Sequence, residues 1–112
     1  MTDEQRKRWK EALAQADSAA VLALEAFDKD DQINMVCEEC AELIAEINRE
    51  RRTRACEWHV TDEIADVIIM AFQAARIYGI ENTIKAIAAK SERVTERATD
   101  RIRYKEMETW GQ

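Results

Sequence analysis

Two pairs of carboxylates, each spaced three residues apart, are the residues of this sequence best suited to chemistry. Glu39 and Glu42 form the first pair, directly after Glu38, and Glu63 and Asp66 form the second. Residues at i and i+3 lie on the same face of a helix. If both segments are helical, four carboxylates can therefore face one way.

The second pair lies in an otherwise apolar segment, where unpaired charges are costly to bury. Met70 and Ile77 continue the same predicted helix face after Asp66. Converging carboxylates in such a place need a cation, and hard oxygen ligands suit Mg²⁺ or Mn²⁺. Because Mg²⁺ usually shares its coordination shell with water and substrate phosphates, phosphate-ester or anhydride chemistry is the natural use.

The composition favours an all-α protein. The 112 residues include no proline and only two glycines, which is typical of long helices rather than of turn-rich sheets. A chain of this length buries one core, so residues 1–112 are predicted to form a single domain.

Charge and hydropathy narrow the partners. The net charge of -6 disfavours nucleic acid. No apolar run approaches the roughly 20 residues that a membrane span needs, and the polar opening does not resemble a signal peptide. We therefore expect a cytoplasmic protein whose three cysteines are reduced thiols.

Apolar residues recur at steps of three and four along the first half of the chain, which predicts two helices. The first covers about Glu4–Phe27. Asp30 or Asp31 is predicted to cap the second helix, which runs to about Asn48. The charged segment 49–54 loses this periodicity and is predicted to be a loop.

Thr61 is predicted to cap a third helix, about Asp62–Tyr78, with Gly79 as its left-handed C-cap. This helix is apolar on nearly all sides, so it is expected to be central or to lie in a subunit interface. A fourth helix is predicted from about residue 80 to beyond Arg101. Its apolar stripe, expected to face inward, comprises Ile84, Ile87, Val94 and Ile102.

The acidic pairs resemble the signature of the MazG-like all-alpha NTP pyrophosphohydrolases. In this sequence the signature reads Glu38-Glu39-x-x-Glu42 and, after a charged segment, Glu63-x-x-Asp66. The resemblance extends over helices two to four and implies a four-helix bundle completed by dimerisation. The apolar surface of the third helix also favours a homodimer or homotetramer.

The resemblance implies hydrolysis of a nucleoside triphosphate to the monophosphate and pyrophosphate. Glu39, Glu42, Glu63 and Asp66 would then hold one or two Mg²⁺ ions, with Mn²⁺ as an alternative. Glu38 points about 100° away from Glu39 on a helix and is interpreted as a supporting group or a water-orienting base. Removal of a deoxynucleotide or damaged nucleotide is the favoured role, and phosphoribosyl-ATP pyrophosphohydrolase is the alternative within the same superfamily.

Lys90-x-x-Arg93 looks like the basic motif that these enzymes place on their last core helix. With Arg97 it forms a basic face that can neutralise a triphosphate. Glu92 and Glu96 alternate with these cations, so an exposed helix stabilised by salt bridges stays an alternative.

Trp58 is a candidate to stack on the base of the nucleotide, as is Trp9, although packing is the commoner use of tryptophan. His59 could contact the substrate or cap the third helix. The basic segment 49–54 could close over the triphosphate, although a solvated loop is the favoured interpretation.

Cys37, Cys40, Cys56 and His59 have the formal spacing of a zinc site. Cys37 and Cys40 are instead interpreted as small buried hydrophobes within a helix, Cys40 at a core position. A structural zinc protein and a non-catalytic helical interaction protein remain the alternatives of another class. The Glu-x-x-His pairs of di-iron bundles are absent from the sequence.

Overall fold

The computed structural model of the chain describes residues 1–54 and 57–111. These residues form four helices and no strand: α1 Asp3–Ala26, α2 Lys29–Thr53, α3 Glu57–Tyr78 and α4 Ile80–Trp110. The predicted all-α fold is confirmed, whereas its completion by dimerisation stays a prediction. Among the described residues, no helix carries an apolar stretch that could span a bilayer.

The helices fall into two compact units. Helices α1, α2 and α3 form the first unit, Met1–Tyr78, and α4 belongs to the second, which starts at Gly79. Within the first unit α3 packs against both α2 and α1. Helix α3 therefore packs between two other helices, which confirms its predicted central position. The assignment of all 112 residues to one domain stays a prediction.

Helix α3 presents different side chains to its two neighbours. Toward α2 it places Gln73, which is 2% exposed and accepts a hydrogen bond from Gln32. Met70, 6% exposed, is buried beside Gln73. Toward α1 it forms an ion pair from Arg76 to Asp17 at 2.7 Å. The same side of α3 lines an apolar groove of about 320 Å³ together with α1; the lining residues are Trp9, Ala12, Leu13, Gln15, Ala16, Ala19, Ala65, Ile68 and Ile69.

Helix α2 is capped by Asp28, so the prediction of Asp30 or Asp31 as the cap was wrong. The Asp28 side chain accepts hydrogen bonds from the backbone N–H groups of Asp30 and Asp31 at 2.9 and 3.3 Å. The two aspartates lie inside the first turn, where their negative charges still favour the helix N-terminus.

The charged segment after Asn48 is helical up to Thr53, so the predicted loop was wrong. Arginine and glutamate form helices readily, and the loss of apolar periodicity here marks an exposed helix rather than a break. An ion pair from Arg49 to Glu46 at 3.6 Å, one turn earlier, supports the helix. The helix ends at Arg54, whose φ of 55° is left-handed.

Helix α3 begins at Glu57, one turn before the predicted start. Thr61 therefore lies inside the helix and was wrong as a cap. Its hydroxyl donates to the carbonyl of Trp58 at 2.9 Å, the usual arrangement for a threonine within a helix. Gly79 follows α3 with a positive φ of 137° and a ψ of 104°. These angles are not those of a left-handed helix, so the predicted left-handed C-cap was wrong.

The apolar stripe of α4 is exposed. Ile84, Ile87, Val94 and Ile102, which were predicted to face inward, are 53%, 59%, 62% and 58% exposed. That prediction was wrong for the single chain. A periodic apolar stripe indicates that a helix has a face to cover, but it does not say whether the same chain covers it.

Candidate active site

Three of the four predicted metal ligands converge between α2 and α3. One carboxylate oxygen each from Glu39, Glu63 and Asp66 lies within 4.8 Å of the others. Glu39 comes from the middle of α2, whereas the other two come from the first half of α3. Ligand oxygens about 2.1 Å from a Mg²⁺ ion are separated by roughly 3–4 Å, so this spacing is close to that of a cation site.

Two oxygens of this cluster are buried without a donor. Oε2 of Glu39 and Oε2 of Glu63 have no hydrogen-bond partner among the described residues. In the same residues, neither carboxylate forms an ion pair with a lysine or arginine. Leaving a buried oxygen unpaired costs free energy. The donor set therefore fits a hard divalent cation, because such an ion satisfies carboxylate oxygens directly.

The charges in the cluster destabilise one another. The pKa of Glu39 is raised from 4.5 to about 7, first by burial and then by the negative charges of Glu42, Asp66 and Glu63. Burial and the charges of Glu42 and Asp66 also raise the pKa of Glu63. A bound cation favours the charged form of each carboxylate and would reverse both shifts.

Glu42 and Glu38 are the two predicted acidic residues outside the convergent cluster. Glu42 is exposed and is not one of the three residues whose oxygens converge. Its charge nevertheless acts on Glu39 and Glu63, so it lies close to both. Glu38 is exposed as well. Their predicted roles in metal binding and catalysis stay predictions.

The predicted basic residues lie on α4, in the second unit. Lys90, Arg93 and Arg97 are all exposed. In the described part of α4 none of them forms an ion pair, so the alternative of a helix held by salt bridges gains no support. Their contact with phosphate stays a prediction.

A protein-family comparison bears on all of these residues. The model of the MazG nucleotide pyrophosphohydrolase domain matches residues 27–101 of the 112-residue chain. The chain belongs to the MazG family. Both acidic pairs and the basic face of α4 lie within the matched range. No curated protein and no solved structure matches the chain.

Membership of the MazG family confirms the resemblance that the acidic signature carries. It makes the chain a member of a family of nucleotide pyrophosphohydrolases, which are typically dependent on a divalent metal. The matched range starts after α1, in agreement with the lack of a motif in that helix.

Trp58 and His59 lie in the first turn of α3, the helix that carries Glu63 and Asp66. Their rings stack, with centroids 3.7 Å apart and an angle of 29° between the planes. His59 is thus inside the helix and does not cap it. Trp58 is 58% exposed, which leaves part of its ring open to a ligand.

Cys37 and Cys40 are exposed, so the prediction that they are buried hydrophobes was wrong. The inward face of α2 carries Glu39 in place of Cys40, and Glu39 is the less exposed of the two. One residue corresponds to a rotation of about 100°, which is enough to exchange neighbours. Cys37, Cys40 and His59 form no ligand cluster in the described residues, and Cys56 lies outside them.

Sequence reasoning missed a pair of buried glutamines between α2 and α3. Gln32 and Gln73 are 4% and 2% exposed, and Nε2 of Gln32 donates to Oε1 of Gln73 at 2.6 Å. Glutamine is usually a surface residue, which is why neither drew attention. The available signal was spacing, since Gln32 precedes Glu39 and Gln73 follows Asp66 by seven residues.

Proposed function

We propose that this protein hydrolyses a nucleoside triphosphate to the monophosphate and pyrophosphate in a reaction that requires Mg²⁺. One observation carries the proposal. Oxygens of Glu39, Glu63 and Asp66 converge within 4.8 Å, and the first two residues each contribute a buried oxygen without a donor. In a member of the MazG family, such a cluster supports cleavage of a phosphate anhydride.

The three convergent carboxylates would hold the metal, with Glu42 as a further ligand at the edge. Bound there, Mg²⁺ would polarise the phosphoryl group under attack and lower the pKa of a water molecule. Glu39 and Glu63 are partly buried, whereas Asp66 is exposed. The exposed side of the cluster therefore faces the solvent from which a triphosphate enters. Glu38, the neighbour of Glu39 in the sequence, would orient the attacking water.

The proposed substrate is a free nucleotide, preferably a deoxynucleotide or a damaged one that is removed as housecleaning. A panel of canonical and modified ribo- and deoxynucleoside triphosphates, with phosphoribosyl-ATP added, tests this directly. Each compound is incubated with the protein in Mg²⁺ and in EDTA, and the products are resolved as pyrophosphate or single phosphate.

We expect one subset of the triphosphates to yield pyrophosphate and monophosphate, and only when metal is present. Release of single phosphates, or turnover that persists in EDTA, contradicts the proposed reaction. Cleavage of phosphoribosyl-ATP alone replaces the substrate but keeps the chemistry. No turnover across the whole panel would overturn the enzymatic role and favour a helical interaction protein.

Lys90→Ala is expected to raise KM for the triphosphate about ten-fold. A charge-assisted hydrogen bond to phosphate contributes roughly 1.5–3 kcal/mol, and Lys90 begins the basic face of α4. Arg93→Ala should act in the same direction, with Arg97→Ala the weakest of the three. Steady-state kinetics at saturating Mg²⁺ measure the effect.

Lys85→Ala is the matched control, because Lys85 lies on the same helix and points about 140° away from Lys90. Its KM should stay within about two-fold of that of the wild type, as expected for an exposed charge without a specific contact. Equal losses in Lys85→Ala and Lys90→Ala would reduce the effect to net charge and remove Lys90 from the substrate site.

Trp58→Ala is expected to raise KM about ten-fold with a smaller change in kcat. Stacking of a base on an aromatic ring contributes roughly 1–3 kcal/mol, and Trp58 is exposed in the first turn of α3, the helix that also carries Glu63 and Asp66. Trp110→Ala is the control, since Trp110 is 90% exposed at the end of α4. An unchanged KM in Trp58→Ala would exclude stacking on this ring.

A further inference from the structure

The buried glutamine pair is the one side-chain hydrogen bond between amides in the described interface of α2 and α3. Both side chains are nearly inaccessible to water. Gln73 Nε2 also donates to Sδ of Met70 at 3.5 Å, a weak acceptor. A polar pair in a small core contributes little to stability compared with apolar side chains of the same size. Its presence therefore calls for an explanation other than stability.

The two helices are antiparallel, since residues early in α2 meet residues late in α3. Gln32 contacts Gln73, and further along α2 Glu39 contacts the cluster of Glu63 and Asp66. The step from Gln32 to Glu39 is seven residues, and the step from Asp66 to Gln73 is also seven. Seven residues are about two helical turns. The amide pair and the Glu39–Asp66 pair thus lie on one seam and share one register.

We propose that the Gln32–Gln73 hydrogen bond fixes the register of α2 against α3 and so places Glu39 opposite Glu63 and Asp66. A buried polar pair can specify register because a shift of either helix leaves two amides without partners. Apolar side chains impose a weaker requirement, because they have no hydrogen bond to lose. A shift by one turn moves Glu39 by about 5 Å along the seam, which takes its carboxylate out of the cluster. Gln32 and Gln73 are positioning residues, and they act at a distance of about 10 Å along the helices.

The test replaces both amides by leucine and measures register directly. In a chain whose three native cysteines are serines, spin labels are attached at Asn34→Cys and Ala71→Cys, which are exposed positions on α2 and α3. Pulsed electron paramagnetic resonance then gives the distance between the labels, with labelled protein diluted into unlabelled protein so that distances within one chain dominate. The comparison is between the glutamine pair and Gln32→Leu/Gln73→Leu.

With both glutamines present, we expect a single narrow distribution of distances between the labels. The double leucine variant should give a second population or a broad distribution. Each single variant should lower the melting temperature, because it leaves one buried amide unpaired, and the double variant should recover it. A double variant that keeps the single narrow distance of the wild type would overturn the proposal. If the leucine pair does not fold, Gln32→Met/Gln73→Met, with flexible side chains of similar volume, gives the same comparison.

The consequence for metal binding rests on the proposed function and is measured separately, by calorimetric titration of Mn²⁺ without nucleotide. The double leucine variant should bind Mn²⁺ about five- to ten-fold more weakly, because only part of the population has the binding register. Asn34→Leu is the control for an exposed amide replaced on the same helix, and its Mn²⁺ affinity should match that of the wild type.

A purely structural role of the glutamine pair predicts wild-type Mn²⁺ affinity in the double leucine variant once its melting temperature has recovered. If the wild-type protein binds no Mn²⁺, the proposed function fails, while the distance measurement still decides the register.

Discussion

Asp66→Asn and Glu63→Gln are each expected to lower kcat by about a thousand-fold or more, equivalent to about 4 kcal/mol of lost transition-state stabilisation. Each substitution keeps the size of the side chain and removes one negative oxygen from a cluster whose ligand atoms converge within 4.8 Å. With one carboxylate fewer, the site attracts a divalent ion less strongly and aligns it less well. Turnover of the substrate found in the nucleotide panel, at saturating Mg²⁺, measures the loss.

Asp62→Asn is the matched control for both variants. Asp62 is an exposed carboxylate directly before Glu63 on α3, so it changes the net charge equally without touching the cluster. Its kcat should stay within about two-fold of that of the wild type. Wild-type activity in Asp66→Asn or Glu63→Gln would exclude that residue as a metal ligand.

The melting temperature separates loss of function from loss of fold in these variants. The neighbouring charges repel one another in the absence of a cation. Removing one charge is therefore expected to leave the metal-free melting temperature unchanged or to raise it. An inactive variant that is at least as stable as the wild type has lost a functional charge rather than its fold.

Local sequence rules were sufficient to predict that acidic residues converge, whereas their role as metal ligands stays a prediction. The i, i+3 spacing of Glu63 and Asp66 in an apolar segment identified a helix whose charges need a partner, and both residues lie in the cluster that the structure contains. Those two features depend only on helical periodicity and on the cost of burying charge. They hold however the helices are packed.

The rotation and ends of the helices could not be predicted in the same way. Cys40 and Glu39 are adjacent, and only packing against α3 decides which of the two turns inward. The loop prediction for residues 49–54 was wrong because an exposed helix and a loop both lack apolar periodicity. The seven-residue spacing places each glutamine on the same helix face as a carboxylate, but no local pattern reports that Gln32 and Gln73, 41 positions apart, contact each other.

Metal-free protein is expected to lose thermal stability as the pH rises from about 5.5 to 8, and added Mg²⁺ or Mn²⁺ should reverse the loss. Burial, together with the neighbouring negative charges, raises the pKa of Glu39 from 4.5 to about 7 in the folded chain. The folded state therefore holds this proton more tightly than the unfolded state does. Protonated Glu39 favours folding below pH 4.5, and this contribution disappears as the pH rises through 7. Glu63, whose pKa is raised for the same causes, acts in the same direction.

Glu39→Gln isolates this contribution, because glutamine keeps the shape of the side chain and cannot ionise. The metal-free variant should show a flatter decline of melting temperature with pH than the wild type, and it should be the more stable of the two at pH 8. Added metal should raise the melting temperature of the wild type more at pH 8 than at pH 5.5, since the ion replaces a bound proton below pH 7. Added metal should change the melting temperature of the variant only slightly at either pH.

Thermal melts monitored by circular dichroism, with EDTA and with each metal, give all of these melting temperatures. Parallel pH profiles of the two proteins without metal would mean that Glu39 ionises without penalty, and equal responses to metal would mean that it holds no ion. The two results are independent, so the melts test the electrostatic origin of the site apart from its ligand role.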